Sequence, residues 1–477
     1  MNTDAKLKNI IEDLLTDKKY EEAFDYLKKV ADAGCYLTAG DYFVAKSRRD
    51  LAEKFYLKAL EINPKDTNVL STLGSYYFNE KKFDTSEHYH KISLALEPDN
   101  PKSLCDIASI ERQKGNFQGA KVLYEKIFSL GKENEFVYAN MGILYLFLHD
   151  IQKGKEYLEK ALEINPDNKV INFYNSFALF KSGDFSNAFK CYEGREWFKR
   201  PPGTEWDGSS GKKLLVMPEQ GYGDMIQFAR YFKEAKSISD KIIFLCPKEL
   251  FRLFETIENI DEIVEFNAND SIDLVDYSES EIDGSEDALY DGYARIMSLP
   301  YMLNIDVEKQ NFDDKLFNID ELSIKKWEKV FSGNKKKIGL CWNSRLQSAQ
   351  PRHIPLKELA SIFTLDNCDF YSLQKNDNEQ LEHYPFVKDY TDQFEDFYET
   401  ASFIMNLDLI ITIDTSITHL AASLNKKTFL LVNDWSCWRW SNKSTTFWYP
   451  SVEIFRQSKG GNWTDVVEQV FDKLKEE

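Results

Sequence analysis

Small and apolar residues recur with a period of 34 along the first 200 positions of the chain. One column of small residues comprises Ala52, Ser86, Ala120, Gly154 and Ala188, and a second comprises Gly74, Ala108, Gly142 and Ser176. The apolar residues around these columns follow the spacing of one helix face. Because small residues let two helices approach closely, each period predicts one pair of packed helices.

Proline closes several of these periods. Pro64, Pro98 and Pro166 are separated by 34 and by twice 34 residues, and Lys132 holds the skipped position. A helix pair of this length that closes on proline is typical of a tetratricopeptide repeat. The pattern therefore predicts an α-solenoid over residues 1–200, with a degenerate first helix pair before about residue 40. Its concave face suits an extended peptide or a partner helix, and a structural spacer is the alternative.

A segment rich in proline, glycine and serine, residues 200–211, predicts a domain boundary. Beyond it, short apolar runs alternate with helical segments in two blocks, 201–332 and 333–477. The predicted strands begin at Lys213, Lys241, Glu262, Ile338, Asp369, Asp408 and Thr428, and the predicted helices cover 225–236, 248–257, 356–363, 398–405 and 417–424. This alternation predicts two parallel sheets, each covered by helices on both faces, with a ligand crevice at the carboxyl ends of the strands. A solvated acidic loop is expected at 267–292.

Charge and cysteine usage disfavour several classes of function. Lys and Arg number 60 and Asp and Glu 79, and the net charge of −19 repels nucleic-acid phosphates and anionic membranes. No apolar run is long enough to span a bilayer, and the first residues lack the apolar segment of a secretory signal, so we expect a cytoplasmic protein. The seven cysteines form no Cys-x-x-Cys pair, which argues against a structural zinc site and a disulfide framework.

The loop after the first predicted strand carries one candidate site. Gly221 and Gly223 permit positive φ and a close backbone approach, and Asp224 falls at the start of the next helix. An aspartate at that position can cap the helix or act on a substrate, and the spacing alone favours neither. Gln227 lies near the third glycine position of a dinucleotide fingerprint, so that fingerprint is incomplete.

The loop from Asp414 to Ala422 carries the second candidate site. The hydroxyls of Thr415, Ser416 and Thr418, together with backbone N–H groups at a helix N-terminus, form an anion site suited to a phosphate or diphosphate. His419 falls in the first turn of this helix. It is expected either to pack in the core or to contact a ligand, and the sequence leaves both alternatives open. A phosphate would repel Asp414, so that side chain is expected to bind a sugar hydroxyl or to hold the turn.

Motifs in a fixed order connect these loops with a known family. The chain carries Leu214-Leu-Val-Met-Pro-Glu-Gln-Gly-Tyr-Gly-Asp, Ser298-Leu-Pro, Ile338-Gly-Leu-Cys-Trp, Arg352-His-Ile-Pro-Leu, Ser372-Leu-Gln, Asp414-Thr-Ser-Ile-Thr-His, Trp438-Arg-Trp and Trp448-Tyr-Pro. The set resembles bacterial tetratricopeptide-repeat glycosyltransferases, which join the repeat to a heptosyltransferase-like GT-B catalytic unit and include flagellin glycosyltransferases that act on Ser or Thr. The resemblance covers nearly the whole chain. It implies a GT-B fold of two Rossmann-like domains, with 201–332 on the acceptor side and 333–477 on the nucleotide-sugar side.

The resemblance also implies roles for individual residues. Asp224 matches the catalytic base of the family, in a cleft loop that includes Gln220, Gly221 and Gly223. The donor-binding residues that it implies are Asp414, Thr415, Ser416 and His419, with Gln374, Arg352 and Asn343 nearby. Asn343 stands where the family usually has a smaller residue, and residues 344–351 depart from the family pattern.

The chemistry of sugar transfer agrees with these residue types. Inverting transfer from a nucleotide needs a base for the acceptor hydroxyl and groups that stabilise the departing phosphate. A lone carboxylate supplies the first, and helix N–H groups, hydroxyls and arginine supply the second. The catalytic half contains no Asp-x-Asp motif, so we expect neither a metal nor a cofactor beyond the nucleotide-sugar substrate.

The sequence thus leads to one hypothesis and two alternatives. The hypothesis is a metal-independent inverting glycosyltransferase that moves a sugar to Ser or Thr of a flagellin-like protein bound by the repeat. The first alternative is a small-molecule or lipid-saccharide glycosyltransferase that uses the repeat for assembly. The second is a non-catalytic interaction protein with a relic transferase unit. The oligomeric state stays open.

Overall fold

The computed structural model divides into two compact units, Met1–Ile171 and Asn172–Glu477. It describes residues 32–46, 48–195, 201–266, 289–312, 314–344, 352–375, 379–434, 436–440, 443–458 and 462–476. The helix pair that precedes residue 200 thereby falls largely within the second unit. The predicted division at 200 and 332 stays a prediction.

The described part of the first unit consists of consecutive helix pairs. The helices are α1 Ala33–Ala45, α2 Arg49–Ile62, α3 Thr67–Asn79, α4 Phe83–Leu96, α5 Pro101–Gln113, α6 Phe117–Ser129, α7 Glu135–Phe147 and α8 Ile151–Ile164. Each odd-numbered helix packs against the next one along the chain. The predicted tetratricopeptide solenoid is confirmed over this range, and the predicted degenerate start falls mostly on residues 1–31, outside the described residues.

Helix caps form a further column of the 34-residue period. Asp66, Asn100 and Asn134 precede α3, α5 and α7, and a side-chain oxygen of each accepts a backbone N–H of the first turn. Asn116 and Asp150 cap α6 and α8 in the same way. Such a cap stabilises a helix by about 1 kcal/mol. The sequence therefore repeats the signals that start its helices as well as those that pack them.

Glycine is required at a close approach between the two helices of one pair. A Cβ atom on Gly142 of α7 would lie 2.7 Å from Cγ of Leu158 and 2.9 Å from the carbonyl oxygen of Gly154, both in α8. A side chain there would force the helices apart. The columns of small residues thus have the packing role that the sequence predicts.

The second unit begins within one more helix pair and continues with a parallel sheet. The pair is α9 Lys169–Ser182 and α10 Phe185–Tyr192, and residues 201–212 contain no helix and no extended strand, as their composition predicts. The sheet has the order β3-β2-β1-β4, with β1 Lys213–Met217, β2 Lys241–Pro247, β3 Glu262–Phe266 and β4 Gly292–Arg295. Its helices are α11 Tyr222–Phe228, α12 Phe232–Ile238, α13 Phe251–Phe254 and α14 Leu299–Met302. Most of the predicted acidic loop, residues 267–288, lies outside the described residues.

A second parallel sheet follows in the order β10-β9-β8-β5-β6-β7. Its elements are α15 Glu321–Glu328, β5 Lys336–Cys341, β6 Cys368–Ser372, β7 Val387–Lys388, α16 Phe397–Ile404, β8 Leu409–Ile413, α17 Ser416–Ser423, β9 Thr428–Val432, β10 Val452–Arg456 and α18 Thr464–Glu476. If the six strands are renumbered within this sheet, their order is that of a doubly wound fold. The direction in which strands are added reverses between β5 and β8. The predicted α/β region with parallel sheets is confirmed.

Two predicted helices are wrong in kind. Residues 248–257 form a 3-10 turn, Lys248–Leu250, followed by the single turn α13, and residues 356–363 form the 3-10 turns Leu356–Leu359 and Ile362–Thr364. Segments this short gain little from helix propagation, so local packing sets their pitch.

One buried cluster joins the elements that surround the candidate site. It includes Phe180 and Phe189 of the helix pair α9–α10, Val216 of β1, Ile410 of β8 and Leu430 of β9. The helix pair and one face of each sheet therefore share a core, which fixes the loops at the strand ends relative to one another.

Candidate functional site

The structure brings the two predicted loops together. The loop after β1 leads into α11, and the loop after β8 leads into α17; the first turns of these helices are in contact. A Cβ atom on Gly223 would lie 2.7 Å from Cδ2 of His419 and 3.3 Å from Cα of Ser416. The close approach predicted for Gly223 is therefore confirmed, and the partner is α17.

A positive φ occurs in this loop, but not at the glycines that would permit it. Gly221 has a φ of −98°, whereas Gln220 has a φ of 57°. A left-handed backbone is uncommon for a residue other than glycine. Here the Gln220 side chain is held in place because its Nε2 donates a hydrogen bond to Oη of Tyr192 in α10. The freedom that glycine permits at Gly221 is therefore not used for a positive φ, which falls on Gln220 instead.

Asp224 does cap its helix, and it also has a cationic partner. Its Oδ2 accepts the backbone N–H of Gly221 at 3.1 Å, and its Oδ1 accepts a hydrogen bond from Nη2 of Arg439 at 2.5 Å. The side chain retains 19% of its exposure. Each carboxylate oxygen has two lone pairs, so one further hydroxyl can still donate to this group. The role of Asp224 as a base stays a prediction.

Arg439 is a residue that sequence reasoning did not assign to the site. It is buried, its Nε donates to Oε1 of Gln227 at 2.5 Å, and its guanidinium lies 4.3 Å from the Trp438 ring centre. Gln227, noted only for its place near an incomplete fingerprint, is therefore the support of this arginine. The Trp438-Arg-Trp motif was the available signal, but nothing local connects it with residue 224.

His419 is buried as a neutral imidazole. Its Nδ1 lies 2.9 Å from Oη of Tyr449, and its ring centre lies 5.2 Å from that of Trp440. Burial lowers the pKa of His419 well below its ordinary value of 6.5, and the charges of Arg439, Arg230 and Arg352 lower it further. This geometry agrees with a packed core histidine, and contact with a donor stays a prediction.

The hydroxyls of the second loop divide into two groups. Thr415 and Ser416 are partly exposed, and Thr415 is the residue before α17 without using its side chain as a cap. Thr418 is buried and donates to the carbonyl of Ile413 at 2.7 Å, so its predicted place in the anion site is wrong. The reason is helical geometry, which turns the third residue of α17 back towards β8.

Asp414 and Arg352 form an ion pair at the same strand end. Nη1 of Arg352 lies 3.1 Å from Oδ2 of Asp414, and the arginine side chain is 34% exposed. The carboxylate thereby holds a cation beside the loop. This contact does not decide between the two uses expected for Asp414, and both stay predictions.

Gln374 and Asn343 shape the neighbouring loop after β5. Oε1 of Gln374 accepts the backbone N–H groups of Trp342 at 3.2 Å and Asn343 at 2.8 Å. The Asn343 side chain in turn accepts the N–H of Ser344 at 2.8 Å. Gln374 is buried, so it supports the loop, whereas Asn343 stays partly exposed.

A third arginine near α17 was also missed. Arg230 follows α11, donates from Nη1 to the carbonyl of Trp448 at 2.8 Å, and lies 4.7 Å from the ring centre of Tyr449. Arg230, Arg439 and Arg352 come from three separate parts of the sequence, and the charge of each lowers the pKa of His419. Two of these arginines are paired with carboxylates, Arg439 with Asp224 and Arg352 with Asp414, and anion binding at the N-terminus of α17 stays a prediction.

Several buried donors near these arginines have no hydrogen-bond partner among the described residues. They include Nε2 of Gln227, Nε1 of Trp440 and Nε1 of Trp448. Within the described ranges, no group of three or more His, Cys, Asp or Glu side chains is placed to hold a metal ion. No helix among those same ranges has the length and apolar character to cross a bilayer.

Comparison with known proteins supports the assignment of the first unit. The tetratricopeptide-repeat family matches residues 33–66 and 137–168, so the helical unit is a tetratricopeptide-repeat solenoid. Protein FlbA of Caulobacter vibrioides is 23% identical over 393 residues, which is 76% of this chain. The chain spans 65% of the length of FlbA, which is less than two thirds of that relative.

Solved repeat proteins cover a smaller share of the chain. TTC0263, a thermophilic repeat protein of Thermus thermophilus, is 19% identical, with a TM-score of 0.31, over 34% of this chain and 88% of its own. YrrB, described as a repeat protein with an unusual peptide-binding site, is 19% identical, with a TM-score of 0.25, over 29% of this chain and 72% of its own.

Proposed function

We propose that the protein is an inverting glycosyltransferase that moves a sugar from a nucleotide-sugar to Ser or Thr of a flagellin-like protein recruited by the repeat. The two parallel sheets would be the two halves of a GT-B catalytic unit. The observation that carries the proposal is the meeting of Asp224 with Arg439 beside the N-terminus of α17. A carboxylate and an anion site are the two groups that this reaction requires, and they come from loops of different sheets.

The donor side of the proposal is an anion site without a metal. The hydroxyls of Thr415 and Ser416 and the first N–H groups of α17 would bind the diphosphate, together with Arg439 and Arg230. These donors are already in place, so they would stabilise the charge that develops on the departing nucleotide. The unpaired Nε2 of Gln227 would add a neutral donor.

The acceptor side of the proposal assigns the proton to Asp224. The acceptor hydroxyl would donate to the carboxylate, its oxygen would bond to the anomeric carbon, and the bond from that carbon to the donor phosphate would break. The proton would end on Asp224 and the electron pair on the nucleotide. Binding of the diphosphate would also draw Arg439 away from Oδ1 of Asp224, which would free that oxygen to accept a hydrogen bond from the acceptor hydroxyl.

The test has two stages, both on the full chain. A thermal-shift screen of nucleotide-sugars identifies a donor that raises Tm, and transfer of radiolabelled sugar from that donor to flagellin and to Ser- and Thr-containing peptides is then measured. We expect transfer that persists in EDTA and that is faster to flagellin than to the short peptides at equal, sub-saturating concentration. Label on lipid or a free saccharide, with none on protein, would favour the small-molecule alternative. No binding of any donor would favour the relic transferase unit.

A further inference from the structure

The helix pair α9–α10 reaches the loop that carries Arg439. Nζ of Lys181 in α9 donates a hydrogen bond to the carbonyl of Ser436, 255 residues later in the chain. The Phe180 ring stacks on Trp438 with centroids 4.1 Å apart and planes 11° apart. Because Trp438 immediately precedes Arg439, these contacts hold the loop that supplies the partner of Asp224.

The same helix pair and the residues just after it hold the loop that carries Asp224. Oη of Tyr192 accepts the hydrogen bond from Gln220 that stabilises the left-handed turn. Arg195 forms a buried ion pair with Glu219, with Nη2 2.9 Å from Oε2, and it also donates to Oγ of Ser298 at 2.8 Å. Both sides of the Asp224–Arg439 contact are therefore fixed to one helical element.

We propose that the helix pair α9–α10 is a positioning element of the candidate site, which aligns the Asp224 loop with the Arg439 loop, and that Lys181 is a positioning residue of this alignment. The inference rests on the proposed function, because its catalytic readout needs a working transferase. It assigns to the last helix pair of the repeat pattern a role that a spacer would not have.

The chemistry of Lys181 supports positioning over simple packing. The Lys181 side chain is partly buried, and this burial lowers the pKa of its ammonium group to about 8, so the charged form is costly to keep at this position. An aliphatic residue would fill the same space without that cost, but it could not donate to Ser436. Arg456 of β10 binds the same loop, through Nη1 to Oγ of Ser436 at 2.5 Å and Nη2 to the carbonyl of Trp440 at 3.1 Å. The loop is thus held by charged donors from two elements.

The test compares lysine substitutions in the full chain. Lys181→Met keeps the length of the side chain and removes the donor, Lys181→Gln keeps a donor, and Lys190→Met makes the same change at an exposed lysine of α10. Hydrogen exchange of the backbone amides of 436–440 measures how firmly the loop is held. The values of kcat and of KM for the donor measure the effect on the candidate site. We expect Lys181→Met to raise the exchange rate about tenfold and to lower kcat by roughly 10- to 100-fold, with a smaller change in KM for the donor. Lys181→Gln should recover most of both effects, and Lys190→Met should show neither.

Each outcome decides the inference. Unchanged exchange in Lys181→Met overturns it, and so does faster exchange with unchanged kcat in an active enzyme. If the wild type transfers no sugar from any donor tested, the proposed function fails, while the exchange experiment still decides whether Lys181 holds the loop. Should Lys181→Met fail to fold, Tyr192→Phe removes the acceptor of Gln220 and should lower kcat by itself; wild-type kcat in that variant would overturn the role of the helix pair.

Discussion

The substitution Asp224→Asn tests whether Asp224 is only a helix cap or also a catalytic base. The structure shows two hydrogen-bond partners for this carboxylate, so the cost of losing one can be worked out separately from the loss of a base. Oδ2 accepts a hydrogen bond from the N–H of Gly221, and Oδ1 accepts one from Arg439. The single carbonyl oxygen of asparagine can replace only one of these two acceptors. The loss of one hydrogen bond to a charged group costs about 1.5–3 kcal/mol of unfolding free energy. The loss of a general base should lower kcat by about two to four orders of magnitude, which is roughly 3–5 kcal/mol of transition-state stabilisation.

Donor binding should respond in the opposite direction. Without the carboxylate, Arg439 is no longer neutralised, so the donor diphosphate should bind at least as tightly to Asp224→Asn as to the wild type in calorimetry. A kcat above a tenth of the wild-type value would show that Asp224 is only a cap. Donor binding weakened by more than tenfold would show that the carboxylate organises the anion site instead.

A matched control exists outside the candidate site. Asp396 also caps a helix, through Oδ1 to the N–H of Glu399 at 2.8 Å, and also pairs with an arginine, through Oδ2 to Nη1 of Arg252 at 3.1 Å. Asp396→Asn should therefore lose a similar amount of unfolding free energy in urea melts while kcat stays at the wild-type value. A large loss of kcat in this control would mean that stability, and not the base, explains the effect at Asp224.

Three further predictions concern the anion site, the helix contact and a buried amine. Thr415→Ala with Ser416→Ala should weaken donor binding by about 1–3 kcal/mol in calorimetry, and unchanged affinity would place the donor elsewhere. Gly223→Ala places a Cβ atom 2.7 Å from His419 and should cost about 1–3 kcal/mol of unfolding free energy in urea melts; a neutral result would show that α11 and α17 can separate at no cost. Lys181 has a folded-state pKa of about 8 against 10.5 for the free side chain, so the unfolded chain binds more protons between these values and stability should rise with pH there. The unfolding free energy of the wild type relative to Lys181→Met should therefore increase from about pH 8 to about pH 10.5, and no change would refute the partial burial of the charge.

Much of the fold could be predicted because its signals are local. The small residues of the 34-residue columns recur at fixed positions and predicted the helix pairs. The caps at Asp66, Asn100 and Asn134 were not predicted, although they also act within three residues of their helices. Apolar runs likewise predicted the central strands. β4 was missed because Gly292 to Arg295 contains no apolar run, and it becomes a strand through its parallel pairing with β1.

The candidate site was predictable only in part. Asp224, Thr415 and Ser416 stand at strand ends, where a parallel sheet places its ligand groups. Thr418 donates its hydroxyl to a core carbonyl, and Gln374 accepts backbone N–H groups of the loop after β5. Both contacts depend on the direction of a side chain, which no sequence motif specifies.

The sequence by itself determined the helical repeat, the caps, the breaker segment and the alternation of strands with helices, since each depends on residues a few positions apart. Only the tertiary structure decided that Arg439 meets Asp224 across 215 residues and that Lys181 meets Ser436 across 255. Those pairs form because the helix pair and both sheets share one buried core, whose packing brings distant loops together. The physical reason is the range of the interactions. A helix or a strand depends mainly on residues a few positions apart, whereas the charged residues of a site are distant in sequence and meet only when the core has packed.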